Sequence, residues 1–123
     1  MKYVILIYGN AASRAVWEGL PKEQRQAGLA AYEALNRDLT ESGELVTSQA
    51  LADPSTGRRL PPGKDVGFAT DGPFAEVKEF VTGFILVDAA SMERALEIAA
   101  RVPEADLGLV EVRPTMDLRA FDL

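Results

Sequence analysis

The chain has 123 residues, a length that suits one domain with its own hydrophobic core, and we take residues 1–123 as that single domain. Hydrophobic residues make up 47% and charged residues 26%, the balance of a soluble globular protein rather than a disordered one. The net charge of −6 disfavours binding to nucleic acid, because phosphate groups are met by basic surfaces.

The absence of cysteine and histidine restricts the chemistry further. It excludes disulfides, thiol nucleophiles, zinc sites of the usual kind and imidazole acid–base catalysis. A metal would have to be a hard cation on carboxylates, and we predict neither a metal site nor a cofactor. No apolar run approaches the length of about 20 residues that spans a bilayer, and the apolar start is too short for a signal peptide. We therefore expect a cytoplasmic protein that binds no membrane.

The first half of the chain predicts a strand, a loop, a helix and a second strand. Residues 1–9 form the first strand, and both of its alternating sets are apolar, so it should be covered on both faces. A loop with Arg14 and Trp17 follows. A helix of about five turns runs from Pro21 to a C-terminal cap at Gly43, and residues 44–51 make the second strand. The predicted buried stripe of the helix is Gly28, Ala31, Tyr32, Leu35 and Leu39.

The second half begins with turns and loops at residues 53–64 and a short strand at residues 65–70. Residues 80–88 form a further strand with two apolar faces, and Gly83 within it indicates a bulge or a close backbone approach. The two predicted faces are Phe80, Phe84 and Leu86 on one side and Val81, Ile85 and Val87 on the other.

A second helix begins after Ser91, a good N-cap, and ends before Pro103. Its predicted buried stripe is Met92, Ala95, Leu96 and Ala99. The last strand, residues 109–113, places Val110 and Val112 on one face and Glu111 and Arg113 on the other. The tail after Pro114 is predicted to be an extended arm.

This order, β-α-β-(β)-β-α-β, predicts an α+β fold: a ferredoxin-like antiparallel sheet with two helices on one face. Two helices cover one face only, yet the first strand and residues 80–88 are apolar on both faces. The simplest cover for the second face is another copy of the chain, and we therefore predict a homodimer.

Residues 69–79, ATDGPFAEVKE, combine a turn, an aromatic residue and four ionisable side chains immediately before an apolar strand. From Asp71 onwards this segment resembles the DGPF, or YCII-related, domain family. Further matches cover nearly the whole chain: residues 1–3 and 6–8, Tyr32-Glu33, Ser42-Gly43, Gly83-Phe84 and residues 111–114. The resemblance implies a dimeric α/β barrel built from ferredoxin-like units, of bacterial origin and unsettled biochemical function.

Two features limit what the resemblance carries over. Some wider relatives pair a histidine with an aspartate in a proposed site, and this chain has no histidine. Thr82 stands where the first glycine of a Gly-Gly pair is common.

Several family members are encoded beside sigma factors of the extracytoplasmic type, which implies a regulatory link as an alternative to catalysis.

The motif itself has two interpretations. Asp71-Gly72 is a turn former and Pro73 fixes the exit direction, so the segment can be a rigid connection that places Phe74 in the core. Alternatively, Asp71 lies at the mouth of the barrel beside Glu76 and Lys78. In that case the candidate catalytic residues are Asp71 and Glu76, and the candidate ligand-binding residues are Gly72, Pro73, Phe74, Lys78, Glu111 and Arg113.

Arg113 needs an anionic partner if it is buried, either in a salt bridge or from a ligand. Tyr3 and Tyr8 could line the same space, although both also suit a packed core. Two functional classes remain. One is an enzyme or binding protein for a small anionic metabolite in a dimer-formed cavity, and the other is a non-catalytic regulatory or partner-binding module.

Overall fold

The computed structural model describes residues 1–72 and 78–121. The strands are β1 (Lys2–Asn10), β2 (Leu45–Ala50), β3 (Arg58–Arg59), β4 (Thr70–Asp71), β5 (Glu79–Asp88) and β6 (Val110–Pro114), and the helices are α1 (Ala11–Gly19), α2 (Lys22–Ser42) and α3 (Met92–Ala99). Short 3₁₀ turns lie at Pro54–Thr56, Val66–Phe68, Pro103–Leu107 and Leu118–Phe121.

The main sheet has the strand order β2-β5-β1-β6, and its neighbouring strands are antiparallel. This is the ferredoxin-like arrangement, and the predicted α+β class with a ferredoxin-like antiparallel sheet is confirmed. The small hairpin of β3 and β4 is inserted between β2 and β5.

The predicted ends of the helices are confirmed by their caps. Gly43 has a positive φ of 80°, and the Gly43 and Glu44 amides donate to carbonyls of the last turn of α2. At α3, the Arg94 amide donates to the Ser91 hydroxyl over 3.1 Å. In both places the cap residue satisfies backbone groups that would otherwise have no partner.

The prediction of a loop after β1 is wrong, because residues 11–19 form helix α1. A reciprocal cap starts this helix: the Ser13 amide donates to the Asn10 side chain over 2.8 Å, and the Asn10 amide donates to the Ser13 hydroxyl over 2.9 Å. Trp17 then packs on α2, where a Cβ built on Gly28 would lie 3.6 Å from the indole ring.

The core lies between the helices and one face of the sheet. Its largest fully buried side chains are Ile5, Leu35, Leu39, Ile85, Val87, Ile98 and Val102. Leu35 and Leu39 were predicted on the buried stripe of α2, and Ala95 and Ala99 on that of α3. Leu96, however, is 52% exposed and Ile98 is buried, because the sheet lies along the 95, 98, 99 side of the helix.

A β-bulge in β5 changes which side chains share a face. Ile7 pairs with Gly83 but Tyr8 pairs with Val81, so Thr82 is the extra residue. Val81 therefore joins the face of Tyr8, and the predicted grouping of Phe80 with Phe84 and Leu86 is wrong. The bulge and the close backbone approach that were the two expectations for Gly83 are both present: Gly83 is next to the extra residue Thr82, and an added Cβ would lie 2.9 Å from the Gln49 carbonyl oxygen.

The second face of the main sheet carries no helix among the described residues. Its centre is Val4 and Leu6 of β1 beside Leu86 and Phe84 of β5, which pair directly across the strands. We call these four residues the open face. They are partly exposed in the single chain, as a sheet with one uncovered apolar face requires.

Two smaller predictions are wrong. Most of residues 65–70 is a 3₁₀ turn capped by Asp65 rather than a strand, and only Thr70 enters a strand. The tail is not fully extended either, since Leu118–Phe121 forms another 3₁₀ turn.

Candidate functional site

The structure places Asp71 at the end of β4, on the outside of the small hairpin. Its side chain is 86% exposed, and its carboxylate lies 3.5 Å from the guanidinium of Arg58 on the paired strand. Arg58 also donates to the Ala69 carbonyl over 3.0 Å. Asp71 therefore contacts the hairpin rather than a buried space.

Gly72 has a positive φ of 77°, and its amide donates to the Gly57 carbonyl over 2.5 Å. The turn predicted at this position is present. Pro73, Phe74 and Glu76 lie outside the described residues, and so does the expected side-by-side placement of Glu76 and Lys78. Lys78 itself is exposed immediately before β5.

A cavity of about 550 Å³ lies between the hairpin, the chain that follows β2 and the start of β5. Its lining includes the apolar residues Leu51, Phe80 and Val81. Gly72, Arg58 and Glu79 supply part of its wall. The cavity thus adjoins the motif; it is open to solvent, and its volume lies within the range of small-molecule sites.

Helix α1, which was not predicted from the sequence, contacts two residues that line this cavity. The Arg14 guanidinium donates to the Asp53 carboxylate over 2.6 Å and lies 5.1 Å from the centre of the Phe80 ring. Asp53 and Phe80 both line the cavity. Hydrogen bonds from Ser55 hold the pKa of Asp53 below its usual value, so the ion pair with Arg14 stays charged at neutral pH.

A polar cluster of Tyr8, Glu111 and Arg113 lies at the edge of the open face. The Tyr8 hydroxyl donates to one Glu111 oxygen over 2.8 Å, and Arg113 donates to the other over 3.0 Å. These contacts lower the pKa of Glu111, and the hydrogen bond to Glu111 raises the pKa of Tyr8. The cluster therefore presents a protonated phenol, a carboxylate and a guanidinium at neutral pH.

The structure brings some predicted site residues together and separates others. Glu111 and Arg113 form the salt bridge that was one of the two alternatives for Arg113. Asp71 and Gly72 lie across the sheet, beside the cavity. Strand β5 connects the cavity to the polar cluster, because cavity residue Val81 pairs with Tyr8.

Glu79 and Arg58 are the residues that the sequence analysis did not select. Glu79 lines the cavity, and its charge is one cause of the raised pKa of Tyr8. Its position at the end of the charged motif was the available signal. Its face could not be deduced, because the bulge at Thr82 lies between it and the rest of the strand.

In the described ranges, no group of three or more carboxylate, histidine or cysteine side chains is placed to hold a metal ion. A search of the same residues found no helix long and apolar enough to cross a membrane.

Comparisons with known proteins agree with the fold. A family model described as the YCII-related domain matches residues 1–119. The chain is 32% identical over 116 residues to an uncharacterised protein from Rhizobium meliloti (strain 1021), a match that covers 93% of this chain and 91% of that protein. It is also similar to the solved structure of 5-chloro-2-hydroxyhydroquinone dehydrochlorinase from Burkholderia phenoliruptrix AC1100, in complex with 2,5-dihydroxybenzoquinone. That match has a TM-score of 0.52 and 17% identity and covers 98% of each chain.

Proposed function

Since the chain belongs to the YCII-related domain family, we propose that it binds or transforms a small molecule in a site that a second copy of the chain completes. The observation that carries this proposal is the continuity between three features. The 550 Å³ cavity meets the polar cluster at the start of β5, where cavity residue Val81 pairs with Tyr8, and the polar cluster borders the open face, where Glu111 pairs with Leu6. Together they offer apolar surface with a few convergent polar groups, the usual composition of a small-molecule site.

The second copy enters the proposal because of the open face. Val4, Leu6, Phe84 and Leu86 are contiguous, and contiguous exposed apolar surface on a soluble domain marks an interaction site. A copy laid sheet to sheet would bury them and enclose the polar cluster. Homodimerisation is therefore part of the proposed site.

In the proposed site, Asp71, which is exposed on the hairpin beside cavity residue Gly72, acts with Glu76 as acid or base, and Arg113 binds an anionic group of the ligand. Gly72, Pro73, Phe74, Lys78 and Glu111 line the ligand. The guanidinium of Arg113 suits planar anions such as carboxylates, which it can bind through two parallel hydrogen bonds. We therefore propose a small anionic metabolite as the ligand.

The structurally similar dehydrochlorinase was solved with a quinone, so a related fold accommodates a small cyclic molecule. Because likeness of fold does not establish a reaction, the analogy supports small-molecule binding as a class and no particular chemistry.

A non-catalytic regulatory or partner-binding module, of the kind associated with sigma-factor-linked systems, is the second candidate. It is favoured by the charge pairs Asp71–Arg58 and Glu111–Arg113, in which each acid already has a cationic partner. If these pairs serve only the fold, the motif is a structural connection.

A thermal-shift screen of a metabolite library against the parent protein and Asp71→Ala tests the proposal. We expect a ligand that raises the melting temperature of the parent but not that of Asp71→Ala. Asp106→Ala is the matched control, because it removes an exposed carboxylate that does not line the cavity. If no compound stabilises the folded, dimeric parent, the small-molecule proposal is wrong and the second candidate is favoured.

A further inference from the structure

Glu79 lies in the cavity wall, and its exposed carboxylate has no direct partner among the residues that the structure describes. It is the first residue of β5 and part of the cavity wall. In the described part of the chain its carboxylate forms no hydrogen bond or ion pair, whereas Asp53, Asp71 and Glu111 are all paired. Its hydrogen-bonding capacity is therefore available to a ligand.

The register of β5 directs Glu79 toward the polar cluster. Val81 pairs with Tyr8, and side chains two positions apart on a strand share a face, so Glu79 lies on the Tyr8 side of the sheet. The charge of Glu79 acts on the Tyr8 hydroxyl, which agrees with this placement. The Glu79 carboxylate thus lies where the cavity meets the side of the sheet that carries the polar cluster.

The surroundings of Glu79 select the kind of ligand. Leu51, Phe80 and Val81 offer apolar surface to the body of a small molecule. A carboxylate accepts hydrogen bonds and repels a nearby anion, so it favours the part of a ligand that donates a hydrogen bond.

We propose that this cavity binds a small apolar molecule that bears a hydroxyl group, a phenol in the simplest case, with the Glu79 carboxylate accepting the hydrogen bond of that hydroxyl. The inference rests on the proposed small-molecule function and specifies its ligand. An anionic group of the same molecule would lie at the other end, toward Arg113.

The ionisation of such a ligand depends on the titratable and charged groups around Glu79. Among the described residues these are the Tyr8 phenol with Glu111 and Arg113 of the polar cluster, Lys78 in the chain before β5, Arg58 and Arg59 on the hairpin, and the Arg14–Asp53 pair. A single substitution at Glu79 leaves these groups in place, so the difference between variant and parent isolates the Glu79 carboxylate.

The probe is 4-nitrophenol, whose phenolate absorbs visible light and whose neutral form does not. The parent, Glu79→Gln and the control Glu33→Gln, an exposed acid on α2, are each saturated with the probe and titrated with base. Circular dichroism is used to check that the three proteins are folded. We expect the apparent pKa of the bound probe to be lower in Glu79→Gln than in the parent by about one unit or more, since a like charge at close range shifts a pKa by that amount. Glu33→Gln should match the parent.

Affinity provides a second measurement. Glu79→Ala should bind 4-nitrophenol about tenfold more weakly than the parent, or worse, because a hydrogen bond to a charged acceptor is lost. If the probe binds parent and Glu79 variants with the same affinity and the same apparent pKa, Glu79 is not the acceptor and the inference is wrong. If the probe fails to bind while another metabolite stabilises the parent, the ligand class is wrong but the proposed function stands. If nothing binds, both are wrong.

Discussion

At the residue scale, one backbone conformation decides the turn of the DGPF motif. Gly72 has a φ of 77°, in the left-handed region, where a side chain costs about 1 to 2 kcal/mol. Among the described residues, the chain neighbours aside, no atom lies within 4 Å of a Cβ built there, so the cost is conformational and not a clash with them. An Asp-Gly pair predicts this geometry from sequence alone, and the structure agrees.

Gly72→Val should therefore lower the free energy of unfolding by about 1 to 2 kcal/mol, measured by urea denaturation. Gly19→Val is the control, because Gly19 also has open space around its Cβ position but no positive φ. Equal stability of Gly72→Val and the parent would show that the turn does not have this geometry in solution.

The polar cluster is also decided at the residue scale, by the contacts of Glu111. The leading cause of its lowered pKa is the hydrogen bond from Tyr8, followed by that from Arg113. Tyr8→Phe removes the first and keeps the second, so the pKa of Glu111 should rise toward its usual value.

A carboxyl-carbon NMR titration measures that rise. Tyr32→Phe is the matched control, since Tyr32 donates its hydroxyl to Glu104, away from Glu111. An unchanged pKa of Glu111 in Tyr8→Phe would mean that the two side chains do not bond in solution. The sequence placed Glu111 and Arg113 on one strand face, but only the register of β1 against β6 brings Tyr8 to them.

At the element scale, one ion pair joins β2 to α3. Arg94 of α3 donates two hydrogen bonds, each 2.9 Å long, to Glu44 at the start of β2, and they hold the pKa of Glu44 below its usual value of 4.5. A depressed folded-state pKa means that the contribution to stability is present above pH 4.5. It is lost as the pH falls through the folded-state pKa.

Glu44→Gln should accordingly be less stable than the parent at pH 7, and the difference should shrink as the pH falls below 4.5. Urea denaturation at a series of pH values measures it. Glu41→Gln, at an exposed position near the end of α2, should show no such dependence. A difference between Glu44→Gln and the parent that is constant with pH would exclude this role for the ion pair.

The elements also show where sequence patterns stop being informative. Helix α2 was predictable, because its Gly43 cap and its long apolar spacing are local signals. Helix α1 was not, because it has no buried residue and depends on the Asn10–Ser13 cap and on contacts with Phe80 and Asp53. Its short amphipathic pattern carries no signal for partners that lie far along the chain.

At the scale of the whole molecule, the open face determines the expected assembly. Leu6 lies at the centre of this face, between Phe84 of β5 and Glu111 of β6. Leu6→Glu would place a charge in the proposed interface, where desolvation without a partner is costly. The core on the helix side would remain.

We therefore expect Leu6→Glu to be a folded monomer where the parent is a dimer, as measured by analytical ultracentrifugation and circular dichroism. Leu96→Glu makes the same change at an exposed position on α3, on the opposite side of the sheet, and should remain dimeric. A monomeric parent, or a Leu6→Glu variant that dimerises as the parent does, would contradict the sheet-to-sheet arrangement.

The sequence by itself determined the fold class, the order of the main strands along the chain, the caps of α2 and α3 and the turn at Gly72. These depend on hydrophobic spacing and on backbone preferences, which are properties of neighbouring residues. Only the tertiary structure decided the face of Val81 and Glu79, the existence of α1 and the meeting of the cavity with Tyr8. Each of these depends on how distant segments pair: a single extra residue at Thr82 reverses the faces of the strand before it, and no local pattern records that shift.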